Sequence, residues 1–373
     1  MSDKEQPNVI PITNERLMSL DAFRGFIMFW IVGGEALVYA LSKLDGVKSE
    51  ILNILIIQLQ HVSWEGFRFY DLIFPSFVFI VGASIAFSLG KLQTSGSRRA
   101  AVRRVIWRGL FLWLIGIIYY GGISNGLYDA ETNKGVRLLG VLQRIGICYL
   151  VAGLLFIYLP VRGLVMAFLV LLAGYWALLS FVAMPGQETV SFEAGRNITN
   201  WFDSKYLPFA KWSGTYDPEG ILSTLPSIAT CLLGVFVGLL LKNKELTRGK
   251  RVLLFFGVGL IFVLCGHLWG GYHPVIKSLW TSSFVILAGG WSLILLAFFY
   301  LVIDVVNIKK WAMPFVWIGM NPIMIYLLST VLDFNHIAKR VLGGPVGEWA
   351  DGILPGLGAL LVAVGGIFLI FWL

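Results

Sequence analysis

Charge is scarce in this sequence: Asp, Glu, Lys and Arg together make up 13% of its 373 residues. A water-soluble domain carries about 25%, because its surface must face water. The shortage excludes an ordinary soluble protein of two or three domains. Cysteine is scarcer still. Its three copies (Cys148, Cys231 and Cys265) all lie in apolar stretches, which excludes a disulfide framework. There are only four histidines, none at zinc-ligand spacing, so no metal is expected. A phosphate loop, a dinucleotide fingerprint and a serine-hydrolase elbow are also missing. What abounds is apolar: hydrophobic residues reach 57%, with 42 glycines and 14 tryptophans. Glycine lets helices approach closely in lipid, and tryptophan collects at membrane interfaces. The sequence therefore reads as an all-α, polytopic integral membrane protein whose first partner is the lipid bilayer.

A helix needs about 20 mostly apolar residues to cross a bilayer. Ten such runs are expected to span: 22–42, 69–91, 104–122, 138–159, 163–184, 221–241, 252–270, 280–303, 312–332 and 353–373. The apolar stretch 51–60 is too short and reads as an interfacial helix. With both termini cytoplasmic, the inside segments hold 16 Lys and Arg against five acids, and the longer outside segments hold 11 against 13. Basic residues collect on the cytoplasmic side, so the net charge of +8 is an orientation signal and not a nucleic-acid footprint. Residues 1–20 are polar, lack the core of a cleaved signal peptide, and read as a cytoplasmic segment. Residues 21–373 then form one transmembrane domain. The external loops are the long ones, which places a shaped aqueous site on that face.

Polar groups inside spans are expensive and so are functional candidates. Asp21 and Arg24 share a helical face, as a structural charge pair or as a handle for an anionic cofactor. Glu35 lies more than three turns into the first span. The densest cluster is His61-Val-Ser-Trp64-Glu65-Gly-Phe-Arg68-Phe-Tyr70-Asp71, at the external mouth of the second span. Histidine can accept and return a proton near neutral pH; Asp71 could orient it or merely cap the helix. Gln143-Arg144 sits about a turn and a half into the fourth span, where an arginine needs a partner, with Glu35 or Asp71 as candidates. Asn321-Pro322 breaks the ninth span. Asp217-Pro218-Glu219 reads as a cap and first helical turn, or as two carboxylates for a sugar or ammonium group. Asn197-Ile-Thr199 fits a glycosylation sequon. His267 and His273 read as interfacial.

Seven short blocks then fall into a known order. Leu20-Asp-Ala-Phe-Arg-Gly25, His61-x-Ser-Trp-x-Gly66, Asp71-Leu-Ile-Phe-Pro75, Gly140-Val-Leu-Gln-Arg144, Tyr216-Asp-Pro-Glu-Gly-Ile-Leu222, Pro274-x-x-Lys277-x-x-Trp280 and Gly319-Met-Asn321 resemble the heparan-α-glucosaminide N-acetyltransferase family. The resemblance implies a bacterial-type member in an inner membrane. It would use cytoplasmic acetyl-CoA as co-substrate to acetylate the amine of a glucosamine-type sugar on the external face. It also implies His61 as the active-site histidine, with Asp71, Gln143, Arg144 and Asn321 lining or bracing the same cavity. From the residues themselves, His61 reads as the base with Glu35 or Asp71 orienting it in the catalytic group, Asp217, Glu219 and Trp64 as further sugar contacts, and Arg24 as the CoA contact. One departure accompanies the resemblance, Glu35 standing where the animal enzyme carries Asn. A homo-oligomer is expected, a dimer first. Two other readings remain open from the residues: an amino-sugar transporter without enzymatic activity, and an acyltransferase acting on another cell-envelope glycan.

Overall fold

The computed structural model describes residues 17–44, 50–94, 97–124, 126–129 and 131–372. Lys4, Arg16 and the side chain of Lys91, part of the orientation argument, lie outside the described residues. The run expected at 22–42 is two helices, α1 (Met18–Phe29) and α2 (Glu35–Leu41), joined through a kinked π turn at Trp30–Gly34. Gly33 makes that break possible, because its φ of 135° is one that side chains resist. The short helix α3 (Glu50–Gln58) turns Ile51, Ile54 and Ile57 outward and buries Leu52, as a helix lying in a membrane interface would.

Helices α4 (Phe69–Thr94) and α5 (Arg98–Tyr119) follow, then a two-stranded hairpin, β1 (Tyr128–Asp129) with β2 (Lys134–Gly135). Next come α6 (Val141–Tyr158), α7 (Val161–Phe181), the surface helix α8 (Ile198–Tyr206), α9 (Thr224–Lys242), α10 (Arg248–Gly270) and α11 (Ser282–Phe299). The chain ends in α12 (Met313–Met320), α13 (Pro322–Val331), two short helices α14 (Phe334–Leu342) and α15 (Pro345–Ile353), and α16 (Leu357–Trp372).

Among the described residues, seven helical runs are long and apolar enough to cross a bilayer, where the sequence led us to expect ten. The other three are present as helices but differ in a specific way. The 104–122 run is α5, whose first three turns carry Arg98, Arg99, Arg103, Arg104 and Arg108. The 312–332 run is α12 and α13, bent by 74° at Asn321-Pro322. The last run is α16, sixteen residues long and short for a full crossing.

The four most extensive helix contacts are α10 with α11, α4 with α9, α5 with α6, and α1 with α12. Each crosses at glycine. A Cβ on Gly234 would strike the carbonyl of Phe79, and one on Gly82 that of Cys231, so α4 and α9 touch backbone to backbone. Gly25 and Gly319 do the same for α1 and α12. Small residues at such crossings are how helices gain contact when lipid offers no hydrophobic drive for association. The buried centre of the bundle is α4, where Val78, Phe79, Ile80, Ala83, Ile85, Ala86 and Leu89 are all inaccessible.

Candidate active site

At one end of α4 the loop carrying His61 is fastened to the loop between α10 and α11. Gly66 N donates to Val275 O at 2.9 Å, and Glu65 pairs with Ile276 as an antiparallel bridge. This brings Lys277 against His61, 216 positions away in sequence. Asp71, in the first turn of α4, is buried beneath them. One carboxylate oxygen accepts from the backbone N–H of Val62 (3.2 Å) and of Arg68 (3.3 Å). The other lies 2.8 Å from His61 Nδ1 and 3.3 Å from Lys277 Nζ. Lys277 Nζ is itself 3.0 Å from His61 Nδ1. Both contacts fall on one ring nitrogen, leaving Nε2 without a partner among the described residues.

These distances admit two arrangements of protons. Either Nδ1–H donates to Asp71, making Nε2 the basic nitrogen, or Lys277 donates to a bare Nδ1 and Nε2 carries the hydrogen. In the first, Lys277 donates to Asp71 instead, so all three groups are satisfied. Burial pushes the Lys277 ammonium below the usual lysine range, and the charge of Asp71 opposes that fall.

His61, Asp71 and Lys277 stand in the wall of a cavity of about 440 Å³, within the size range of small-molecule sites. Half of the remaining wall residues are aromatic, among them Trp64, Tyr119, Tyr120, Trp212, Trp280 and Tyr326. Trp64 is fixed by its indole N–H, which donates to Phe192 O at 2.9 Å. Opposite, Arg137 holds Asp217 through two bonds (Nε to Oδ2 2.8 Å, Nη2 to Oδ1 2.6 Å) and Glu219 through a third (2.6 Å). Its guanidinium also lies over Tyr120 (4.5 Å) and Trp212 (5.1 Å). Burial alone would make Arg137 easier to deprotonate, but Asp217 and Glu219 outweigh it and hold the charge. Burial raises the Glu219 carboxyl above its ordinary range. Behind this wall Arg144 is fully buried. It donates to Pro218 O (3.1 Å), Gly220 O (3.4 Å) and Ser223 Oγ, and lies 4.9 Å from the ring centre of Trp280.

A family model described as "Heparan-alpha-glucosaminide N-acetyltransferase, catalytic" matches residues 16–268 of the chain. The chain belongs to that family. Two relatives carry the same name in full. The heparan-alpha-glucosaminide N-acetyltransferase of Mus musculus is 28% identical over 391 residues, covering 89% of this chain and 56% of its own length. That of Homo sapiens is 29% identical over 375 residues, covering 85% and 53%. The chain thus spans about half the length of the curated relatives it matches. The matched region of this N-acetyltransferase family member contains His61, Asp71, Arg137 and Glu219, but ends before Lys277, Trp280 and Tyr326.

Of the residues singled out from sequence, the cavity collects His61, Asp71, Trp64 and Glu219. Asp217 and Gln143 stand just outside it as supports: Asp217 locks Arg137, and Gln143 Nε2 donates to Arg137 O at 3.2 Å. Several expectations are corrected. Arg144 pairs with neither Glu35 nor Asp71; its Nη2 donates to two backbone carbonyls and a serine and its guanidinium faces an indole, while Nε and Nη1 are buried without a hydrogen-bond partner among the described residues. The imidazole is oriented by Asp71, whereas Glu35 neighbours Tyr70, whose ring packs against His61 at 4.8 Å, and Glu35 Oε2 is buried without a hydrogen-bond partner among the described residues. Asn321 is exposed at the α12–α13 bend and does not line the cavity. Arg24 is tied to Asp21 (3.1 Å), Gly319 O (3.2 Å) and Ser84 Oγ (2.6 Å), holding α1, α4 and α12 together. Asp217-Pro218-Glu219 forms a turn, and α9 starts only at Thr224. Asn197 is buried as the cap of α8, accepting from Asn200 N at 2.9 Å, so its side chain is not open to a glycan. His273 is buried between Phe192 and Trp269 and is not interfacial.

Arg137 was missed. The signal existed: two carboxylates in Asp217-Pro218-Glu219 call for a cation, and Arg137 is the basic residue at the mouth of the fourth span. Lys277 was visible in a motif but carried no role, because nothing local says which loop it meets.

Proposed function

We propose that this protein transfers acetyl from acetyl-CoA to the amine of an amino sugar, with His61 as the base and the reacting centre on the external face. The arrangement that carries the proposal is the His61–Asp71–Lys277 cluster in the wall of an aromatic cavity. Aromatic faces suit the apolar faces of a pyranose ring, and Glu219 offers a carboxylate to its polar edge. Arg137 and Lys277 place positive charge nearby, which favours the neutral amine over the ammonium, and only the neutral amine is nucleophilic. The amine attacks the thioester carbonyl, forming the C–N bond and an oxyanion. His61 Nε2 takes the proton lost from nitrogen while Asp71 stabilises the imidazolium through Nδ1–H. Collapse of the oxyanion breaks the C–S bond, and the imidazolium returns its proton to the departing thiolate. Lys277 supplies positive charge as the oxyanion develops.

A ternary complex fits this site better than a covalent acetyl-histidine. The His61 side chain is 54% exposed, so an acetyl-imidazole would meet water before it met sugar. Purified protein given radiolabelled acetyl-CoA and glucosamine should produce labelled N-acetylglucosamine with intersecting double-reciprocal plots, and His61→Ala should lower turnover at least about a thousandfold while CoA is still bound. Wild-type turnover in His61→Ala would remove it from the chemistry. A stoichiometric burst of CoA without sugar, with label held on His61, would establish the covalent route.

A further inference from the structure

The far end of α5 carries a basic groove separate from the His61 cavity. Tyr119, at the last residue of α5, lines the His61 cavity, whereas Arg98 begins the helix about 33 Å away along its 22 residues. There, Arg98, Arg99 and Arg103 rim a groove of about 470 Å³. Its floor is apolar, with Ile106, Trp107 and Leu110 running down one face of α5 and Tyr158 of α6 closing the side. Arg98 is set over Tyr158 (4.4 Å to the ring centre) and donates to Ile157 O at 3.2 Å. Arg99 and Arg103 are exposed, and among the described residues no carboxylate pairs with any of the three. The sequence explains why: there is no Asp or Glu anywhere between Asp71 and Asp129. The arginines also crowd the first turns of a helix, the positive end of its dipole, where cations are disfavoured and an anion is welcome. The cap residue Ser97 gives no side-chain bond to the free N–H groups there.

From this we infer that the groove binds the headgroup phosphate of an anionic phospholipid, whose acyl chain lies along Ile106, Trp107 and Leu110. A phosphate neutralises the guanidinium cluster and complements the helix end. The exposed apolar face below, with Trp107 67% exposed and Leu110 45%, already requires a hydrocarbon neighbour. The test is native mass spectrometry of the detergent-purified full chain, titrated with phosphatidylglycerol or with phosphatidylcholine of identical acyl chains. We expect retention of one phosphatidylglycerol in preference to phosphatidylcholine. R98Q/R99Q/R103Q should lose that preference by roughly a hundredfold, at about fivefold per arginine. K244Q/K250Q/K310Q, which removes the same charge from exposed sites, should keep it. Equal losses in both triple variants would mean diffuse charge and not a site, and would overturn the inference, as would a wild type without preference. Displacement of the bound lipid by an equal concentration of CoA would assign the groove to a soluble phosphate ester and overturn it too. Unchanged melting of the arginine variant in phosphatidylcholine alone separates lost binding from lost fold.

Discussion

Nδ1 of His61 is met at once by a carboxylate at 2.8 Å and an ammonium at 3.0 Å. Lys277 is thus the cation set beside the reacting centre, where the oxyanion of the proposed transfer develops. Lys277→Met should lower kcat by about a hundredfold with KM little changed, and Lys277→Arg should restore much of the loss. Turnover in Lys277→Met equal to wild type would reduce Lys277 to scaffolding. His273 offers a titration coupled to the fold and not to turnover. Burial between aromatic rings drops it to about 4 from the usual 6.5, and neither ring nitrogen has a hydrogen-bond partner among the described residues. The fold thus favours neutral His273; this stability is complete above about pH 6.5 and drains away as pH falls towards 4, by up to roughly 3 kcal/mol. His273→Phe should flatten the melting temperature across that window; an unchanged slope would place the acid sensitivity elsewhere. The sequence exposed His61 because polar residues crowd around it within ten positions. It hid the burial of His273, since a Trp-Gly-Gly neighbour suits an interface and a core equally well.

Helices were legible wherever the apolar run was unbroken, because in lipid the backbone has no other way to satisfy itself. The departures occur where side chains or glycine pairs alter that rule: the arginines of α5, Gly33 in the first span, and Asn321-Pro322 in the ninth. Packing between the helices was not legible, since the glycines give no clue to which neighbour they face. Substitution can test the crossings. Gly234→Ala should destabilise the bundle by about 1–3 kcal/mol or more, because the new Cβ meets the Phe79 carbonyl and not a yielding side chain. Gly174→Ala on α7 meets nothing within 4 Å, and should be neutral or stabilising. Comparable losses in both would mean that helix propensity, not close approach, governs these positions.

For the molecule as a whole, the charge asymmetry makes a claim about sides. In a chain carrying Cys265→Ser, with Cys148 and Cys231 buried, Ser213→Cys by the cavity should react with a membrane-impermeant maleimide in intact cells. Lys244→Cys, beyond the far end of α9, should react only after lysis; the reverse pattern would invert the topology. The strap between the His61 loop and the Lys277 loop bears on a different matter, modularity. The family match closes at residue 268, yet the cation set against His61 and Asp71 arrives nine positions later, on a segment strapped to the His61 loop by the Glu65–Ile276 and Gly66–Val275 pairings. A fragment cut at the family boundary would keep the base and its carboxylate but lose their counter-charge, the indole over Arg144 and the Tyr326 wall. Supplied separately as residues 269–373, those parts should restore turnover by complementation, making the smallest working unit a pair of interlocking pieces and not the family-matched segment alone.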